Sequence, residues 1–400
     1  MAITPTLLLL VAPTAFAFVP APRLVPRTAH FSPRLAIRTP VAPVAFADQA
    51  GTLAGTFFQA SLLPYIGFLY FLGYAPNNTP KQALFGFQFL LLFVLSTVFT
   101  GIVTKSVYGA SLADTDWLHG AAEALLTTSN LYVASGFRNA LAGEAAPEGP
   151  SFRFPALAIF ALVVAATAAG PSLGVEQHSA FLYGIGNLGE NPLAGVLDSV
   201  RSEPINALSL PTWAIHFSSV FEWLFAMSFV AQYAQATGNE RWRWLTYGML
   251  PLHASGVAAC TYHFFYNSAD VSFLVALQAG LTLLGNSTVC IAALLIALSN
   301  GWTISELNPF KPKGEAGEAG EAAAPAAAVV PQPVIATPLL AGELVLLTAV
   351  FSYLVKYGEP ALTLPFEPNA LVGWALVLGI PTFVGFRFVA GASDSNAASA

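Results

Sequence analysis

The chain has 400 residues, of which 56% are hydrophobic and 9% charged, with a formal net charge of −6. Its mean hydropathy is +0.65, and its charged fraction falls far below the roughly 25% of a soluble globular domain. These figures exclude an ordinary water-soluble enzyme, and the few dispersed cations exclude a nucleic-acid binder, so lipid is the main solvent.

Residues 1–47 read as a bipartite presequence. The apolar run Leu7 to Ala17 ends in Ala15-Phe16-Ala17, the small-x-small pattern of signal-peptidase sites, which places a cut at the Ala17–Phe18 junction. Arg23, Arg27, Arg34 and Arg38 follow, with no acidic residue before Asp48, which is transit-peptide composition. The run is too short for an anchor, since it covers about 16 Å against a hydrocarbon core of about 30 Å. The Ala-Phe-Ala-Phe-Val-Pro stretch at 15–20 resembles the junction of plastid precursors in algae with secondary plastids. A plastid membrane is therefore the expected location.

Nine apolar stretches of spanning length follow, at 53–74, 83–103, 117–137, 154–171, 208–233, 244–266, 271–298, 340–356 and 370–390. The expected fold class is all-α, a polytopic transmembrane helical bundle in the lipid bilayer. A first membrane module covers 48–171, a loop 172–206 and a second module 207–310. A Gly-, Glu-, Ala- and Pro-rich linker at 311–337 then sets this seven-span body apart from an appended two-span tail at 338–400.

Threading these spans sorts the cations. Lys105, Arg201 and Lys356 fall on one face, while Lys81, Arg138, Arg153, Arg241, Arg243, Lys311, Lys313 and Arg387 fall on the other. Positive loops stay on the side from which insertion occurs, so the expected orientation has a lumenal or intermembrane N-terminus and a stromal C-terminus. Trp242 and Trp244, interleaved with Arg241 and Arg243, are expected as aromatic anchors at the stromal interface.

Ionisable and amide residues within spans mark functional candidates, because each costs several kcal/mol unless it faces protein or water. His119, Glu123, Thr127 and Asn130 recur at helical spacing and form one polar stripe, preceded by Asp114 and Thr115 as N-caps. Gln278, Thr282, Gly285 and Asn286 form a second stripe. Glu222 and His253 fall at similar depth on neighbouring antiparallel spans and are expected to pair in mid-membrane. His119, His216, His253 and His263 offer imidazoles that could ligate chlorophyll magnesium or haem iron. Cys260 and Cys290 fit neither a disulfide framework nor a zinc motif, and no spacing signals a metal site. Metalloprotease, phosphate-loop and nucleophile-elbow signatures are missing, so no catalytic residue is expected.

Two segments carry a family resemblance. The first runs over residues 59–140, with Leu63-Pro-Tyr-Ile-Gly-Phe-Leu-Tyr-Phe and Asp116-Trp-Leu-His119-Gly-Ala-Ala-Glu123. The second runs over 207–300, with Ser209-Leu-Pro-Thr-Trp213-Ala-Ile-His216, Met249-Leu-Pro-Leu-His253 and Cys260-Thr-Tyr-His263-Phe-Phe-Tyr-Asn267. The second resembles a family of hypothetical chloroplast reading frames, and the first resembles another uncharacterised cyanobacterial and chloroplast membrane family. The resemblance implies a fusion of the two, in a photosynthetic membrane of cyanobacterial ancestry. It transfers no mechanism. The function expected is a non-enzymatic assembly, stabilising or pigment- or cofactor-handling component, in the thylakoid rather than the inner envelope, with photosynthetic complexes as partners. A proton or small-solute transporter using Glu123, Glu222 and His253 is the alternative, and an unfamiliar membrane enzyme a third.

Overall fold

The structure is a computed structural model that describes residues 42–145, 147, 149–177, 201–307 and 329–398. The Ala17–Phe18 junction and most of the expected linker lie outside the described residues. Ten α-helices and no strand occur among the described residues. They are α1 (Ala42–Leu72), α2 (Lys81–Val103), α3 (Asp116–Leu141), α4 (Phe154–Ala169), α5 (Leu210–Thr237), α6 (Arg241–Gly248), α7 (Leu250–Phe264), α8 (Phe273–Ser299), α9 (Thr337–Gly358) and α10 (Ala370–Ala398).

Seven of the nine expected spans are helices long and apolar enough to cross a membrane. The other two depart for physical reasons. The 117–137 span is α3, whose polar residues lower its hydropathy. Nineteen of its 26 residues are buried, so protein rather than lipid surrounds it. The 244–266 span is broken into α6 and α7 at Met249. Pro251 lacks an N–H and sits in the first turn of α7, where that donor has no partner to lose.

The helices of the two expected modules interleave. α1 packs on α8, α2 on α3, α3 on α5, and α7 on α8. A single apolar cluster joins Tyr65 and Phe68 of α1, Phe87 of α2, Phe137 of α3, Tyr233 of α5, Trp242 of α6, and Val289 and Ile296 of α8. Small residues allow close approach: a Cβ on Gly136 of α3 would run into the Ala83 backbone nitrogen of α2. Leu95, Val98, Phe99 and Ile102 of α2 and Leu371, Phe383 and Phe386 of α10 remain exposed, as a lipid-facing surface requires.

Three expectations are corrected by this packing. Trp242 is not an interfacial anchor but a core residue, 1% exposed and edge-on to Tyr233 and Phe137, whereas Trp244 is exposed. The tail is not an appendage, because α9 packs on α5 and α10 on α7. Lys356 is not a loop cation: its ammonium is buried 2.7 Å from Glu203 and donates to the Leu208 carbonyl at 2.8 Å.

Charge is nevertheless distributed between two ends. At one end Arg138 pairs with Glu144 and donates to the Ile335 carbonyl, and the segment before α9 bonds to Leu141 and Ala236. At the other end Asp114, Glu203, Asn206, Tyr266 and Asn267 converge. The starts of α3 and α5 and the end of α7 meet there, and they carry the site.

Candidate functional site

Three buried histidines meet at the acidic end. His119 lies three residues into α3, His216 six residues into α5, and His263 one residue before the end of α7, all within about 9 Å of the helix ends. The ring centroids are 4.9 Å apart for His119 and His216, 4.7 Å for His119 and His263, and 5.1 Å for His216 and His263. One nitrogen from each lies within 4.8 Å of those of the other two. None of the three is more than 6% exposed.

Local structure holds this arrangement. The Asp116 carboxylate accepts the Ser209 backbone N–H at 2.9 Å, which ties the start of α3 to the start of α5. Further along, Thr127 donates to the Ile215 carbonyl at 3.2 Å, and Asn130 donates to the Ser219 carbonyl and hydroxyl. The first polar stripe thus faces α5. Its member Glu123 places a carboxylate oxygen 3.9 Å from the His119 Nε2 atom.

Around the rings, the Ala113 backbone lies against His119 and the Asn267 side chain against His263. Asn267 in turn donates to the Asp114 carboxylate at 2.8 Å and to the Ala113 carbonyl at 3.0 Å. Asp114 also accepts from Ser111 and Asn206. Asp114 is therefore not a helix cap, and the Thr115 hydroxyl at the N-cap position bonds back to the Ser111 carbonyl. Sequence reading missed Asp116, Asn267, Glu203 and Glu359 at this end.

The remaining candidates stand elsewhere. Glu222 accepts the Ser218 hydroxyl at 2.6 Å on its own helix. His253 is ten residues from His263 and so about 15 Å deeper, and neither of its nitrogens has a hydrogen-bond partner among the described residues. No ion pair joins Glu222 to His253 among those residues, and the expected mid-membrane pair is not formed. Equal depth on two helices leaves their rotation free. On α8, Asn286 donates to the Ser61 carbonyl of α1, and Thr282 shares a 2.8 Å hydrogen bond with Ser255 of α7 while the Gln278 carbonyl accepts from it. That stripe knits helices together. Ring-to-ring contact among the three clustered histidines leaves no space for a chlorophyll or haem macrocycle between any two of them.

Residues 207–295 match a family described as "Protein of unknown function (DUF2499)", and residues 54–142 match "Protein of unknown function (DUF3593)". The chain is 49% identical over 89 residues to "Ycf49-like protein" of Synechocystis, covering 22% of this chain and 86% of that protein. The chain belongs to the Ycf49-like family. It is also 36% identical over 91 residues to "Uncharacterized protein ycf49" of Cyanophora paradoxa, covering 23% of this chain and 89% of that protein. No solved structure matches. The expected fusion of two families is present, and the histidine cluster straddles it: His119 belongs to the DUF3593 region, His216 and His263 to the DUF2499 region. In this Ycf49-like chain the site is complete only when both regions fold together.

Proposed function

We propose that this Ycf49-like protein is a non-enzymatic assembly, stabilising or cofactor-handling component of a photosynthetic membrane, in the thylakoid rather than the inner envelope. The observation that carries this reading is the buried cluster of His119, His216 and His263, built jointly by two family regions. A match filling 86% of the Synechocystis relative leaves that protein no length for both regions. Fusion then secures together two bodies that share one site. The cation-rich end faces the stroma in this reading, following the positive-inside bias.

The test is native electrophoresis of gently solubilised membranes, with absorption spectra taken on each band. Co-migration with a photosystem or cytochrome complex supports the assembly role. Migration alone, with proton or solute flux in vesicles, supports the transport alternative, which Glu222 and His253 favour because each buries unpartnered polar atoms in its span.

A further inference from the structure

We propose that His119, His216 and His263 bind one divalent transition-metal ion of the zinc, copper or cobalt type. This rests on reading the cluster as the working site and on no particular assembly partner. Neutral imidazole is a borderline ligand suited to zinc, copper and cobalt, and three such ligands from three helices make an open site with room for a fourth group.

The distances fit a single ion. Zinc holds a histidine nitrogen at about 2.0–2.1 Å, which sets tetrahedral neighbours about 3.4 Å apart. The three nitrogens here lie within 4.8 Å of one another, so closure by about an ångström or a little more completes the set. The His216 Nε2 atom is buried with no hydrogen-bond partner among the described residues, a cost that coordination removes.

The surroundings are those of a ligand set rather than of a satisfied core. Metal-bound histidines are oriented by carbonyl and carboxylate partners behind them. Ala113 lies beside His119, and Asn267 beside His263 with Asp114 behind Asn267 in turn, while the His119 Nδ1, His263 Nδ1 and Asn267 Oδ1 atoms are buried without a hydrogen-bond partner among the described residues. Glu123 is the nearest carboxylate, one turn deeper than His119, and supplies the fourth ligand or holds a bound water. Asp114 and Glu123 stand beside His119, while the Lys356 cation is engaged by Glu203. None of this is visible as a spacing motif, because the ligands come from separate helices.

The experiment uses full-length protein purified in detergent, stripped by a chelator, and titrated with Co²⁺ for ligand-field absorption and Cu²⁺ for paramagnetic resonance. The expected result is one ion per chain at micromolar affinity or tighter, with copper resonance split by imidazole nitrogens. His119→Gln, His216→Gln and His263→Gln should each weaken binding by more than the 10–100-fold typical of supporting residues, and Asn267→Ala by about 10-fold. His253→Gln should bind as the parent does. The nitrogen splitting is read on the unsubstituted protein, so it stands even where a variant does not accumulate. Absence of binding below millimolar metal, or equal loss in His253→Gln and His216→Gln, overturns the proposal. Metal capture without co-migration on native gels upholds the site and removes the assembly role. Co-migration without metal capture does the reverse.

Discussion

The imidazole planes of His216 and His263 stack at 16° with centroids 5.1 Å apart, although one stands near the start of α5 and the other at the end of α7. Two parallel, buried rings gain little from each other when both are neutral, and they repel when both carry a proton. Their apposition is costly as plain packing and useful as a ligand pair.

His253 provides the contrast. It is 2% exposed with both nitrogens lacking a partner among the described residues, and an unsatisfied buried polar group costs about 1–3 kcal/mol. His253→Leu should therefore leave thermal stability in detergent unchanged or raise it by up to about 2 kcal/mol. A marked fall in melting temperature, together with lost vesicle flux, would instead assign His253 to a transport path.

Lys356 and Glu203 lock the tail to the body. Burial pushes the Glu203 carboxyl above its usual range even though the Lys356 ammonium draws it down, so removing the lysine leaves an uncompensated acid. Lys356→Met should destabilise the protein by about 3–5 kcal/mol, and the double variant Lys356→Met with Glu203→Leu should recover most of that loss. Chemical denaturation of both variants measures the difference. Equal loss in single and double variants would show that the pair does not anchor α9.

Backbone contact between α2 and α3 sets a third expectation. Because a Cβ on Gly136 would run into the Ala83 backbone nitrogen, Gly136→Ala should cost about 1–3 kcal/mol through overpacking. Gly101, on the same α2, has nothing within 4 Å of an added Cβ, so Gly101→Ala should be neutral or stabilising by up to about 1 kcal/mol. Melting curves of the two alanine variants should separate clearly.

Span lengths and helical periodicity were legible in the residues because both are local. The stripe of His119, Glu123, Thr127 and Asn130 needs only the pitch of one helix, and it lies where that pitch places two of its members, against α5. What required three dimensions was hidden. Glu222 and His253 lie at similar distances along their helices yet form no hydrogen bond with each other, and Lys356 counts as a loop cation until Glu203, more than 150 positions earlier, is brought beside it. The break between α6 and α7 had a local signal in Pro251, outweighed by the continuous apolar run around it. The metal-type cluster had none, since His119 and His263 come from regions that match different families.

Interleaving of those two regions is the central claim, and a disulfide tests it most directly. A Cβ on Gly67 of α1 would lie 2.9 Å from the Cys290 sulfur of α8, close to the separation that a disulfide needs. In a Cys260→Ala background, Gly67→Cys should oxidise to an intramolecular cross-link with Cys290 in dilute detergent, seen by peptide mapping. Failure to form that bond, or its formation only between separate chains, would contradict the shared bundle and with it the three-histidine site.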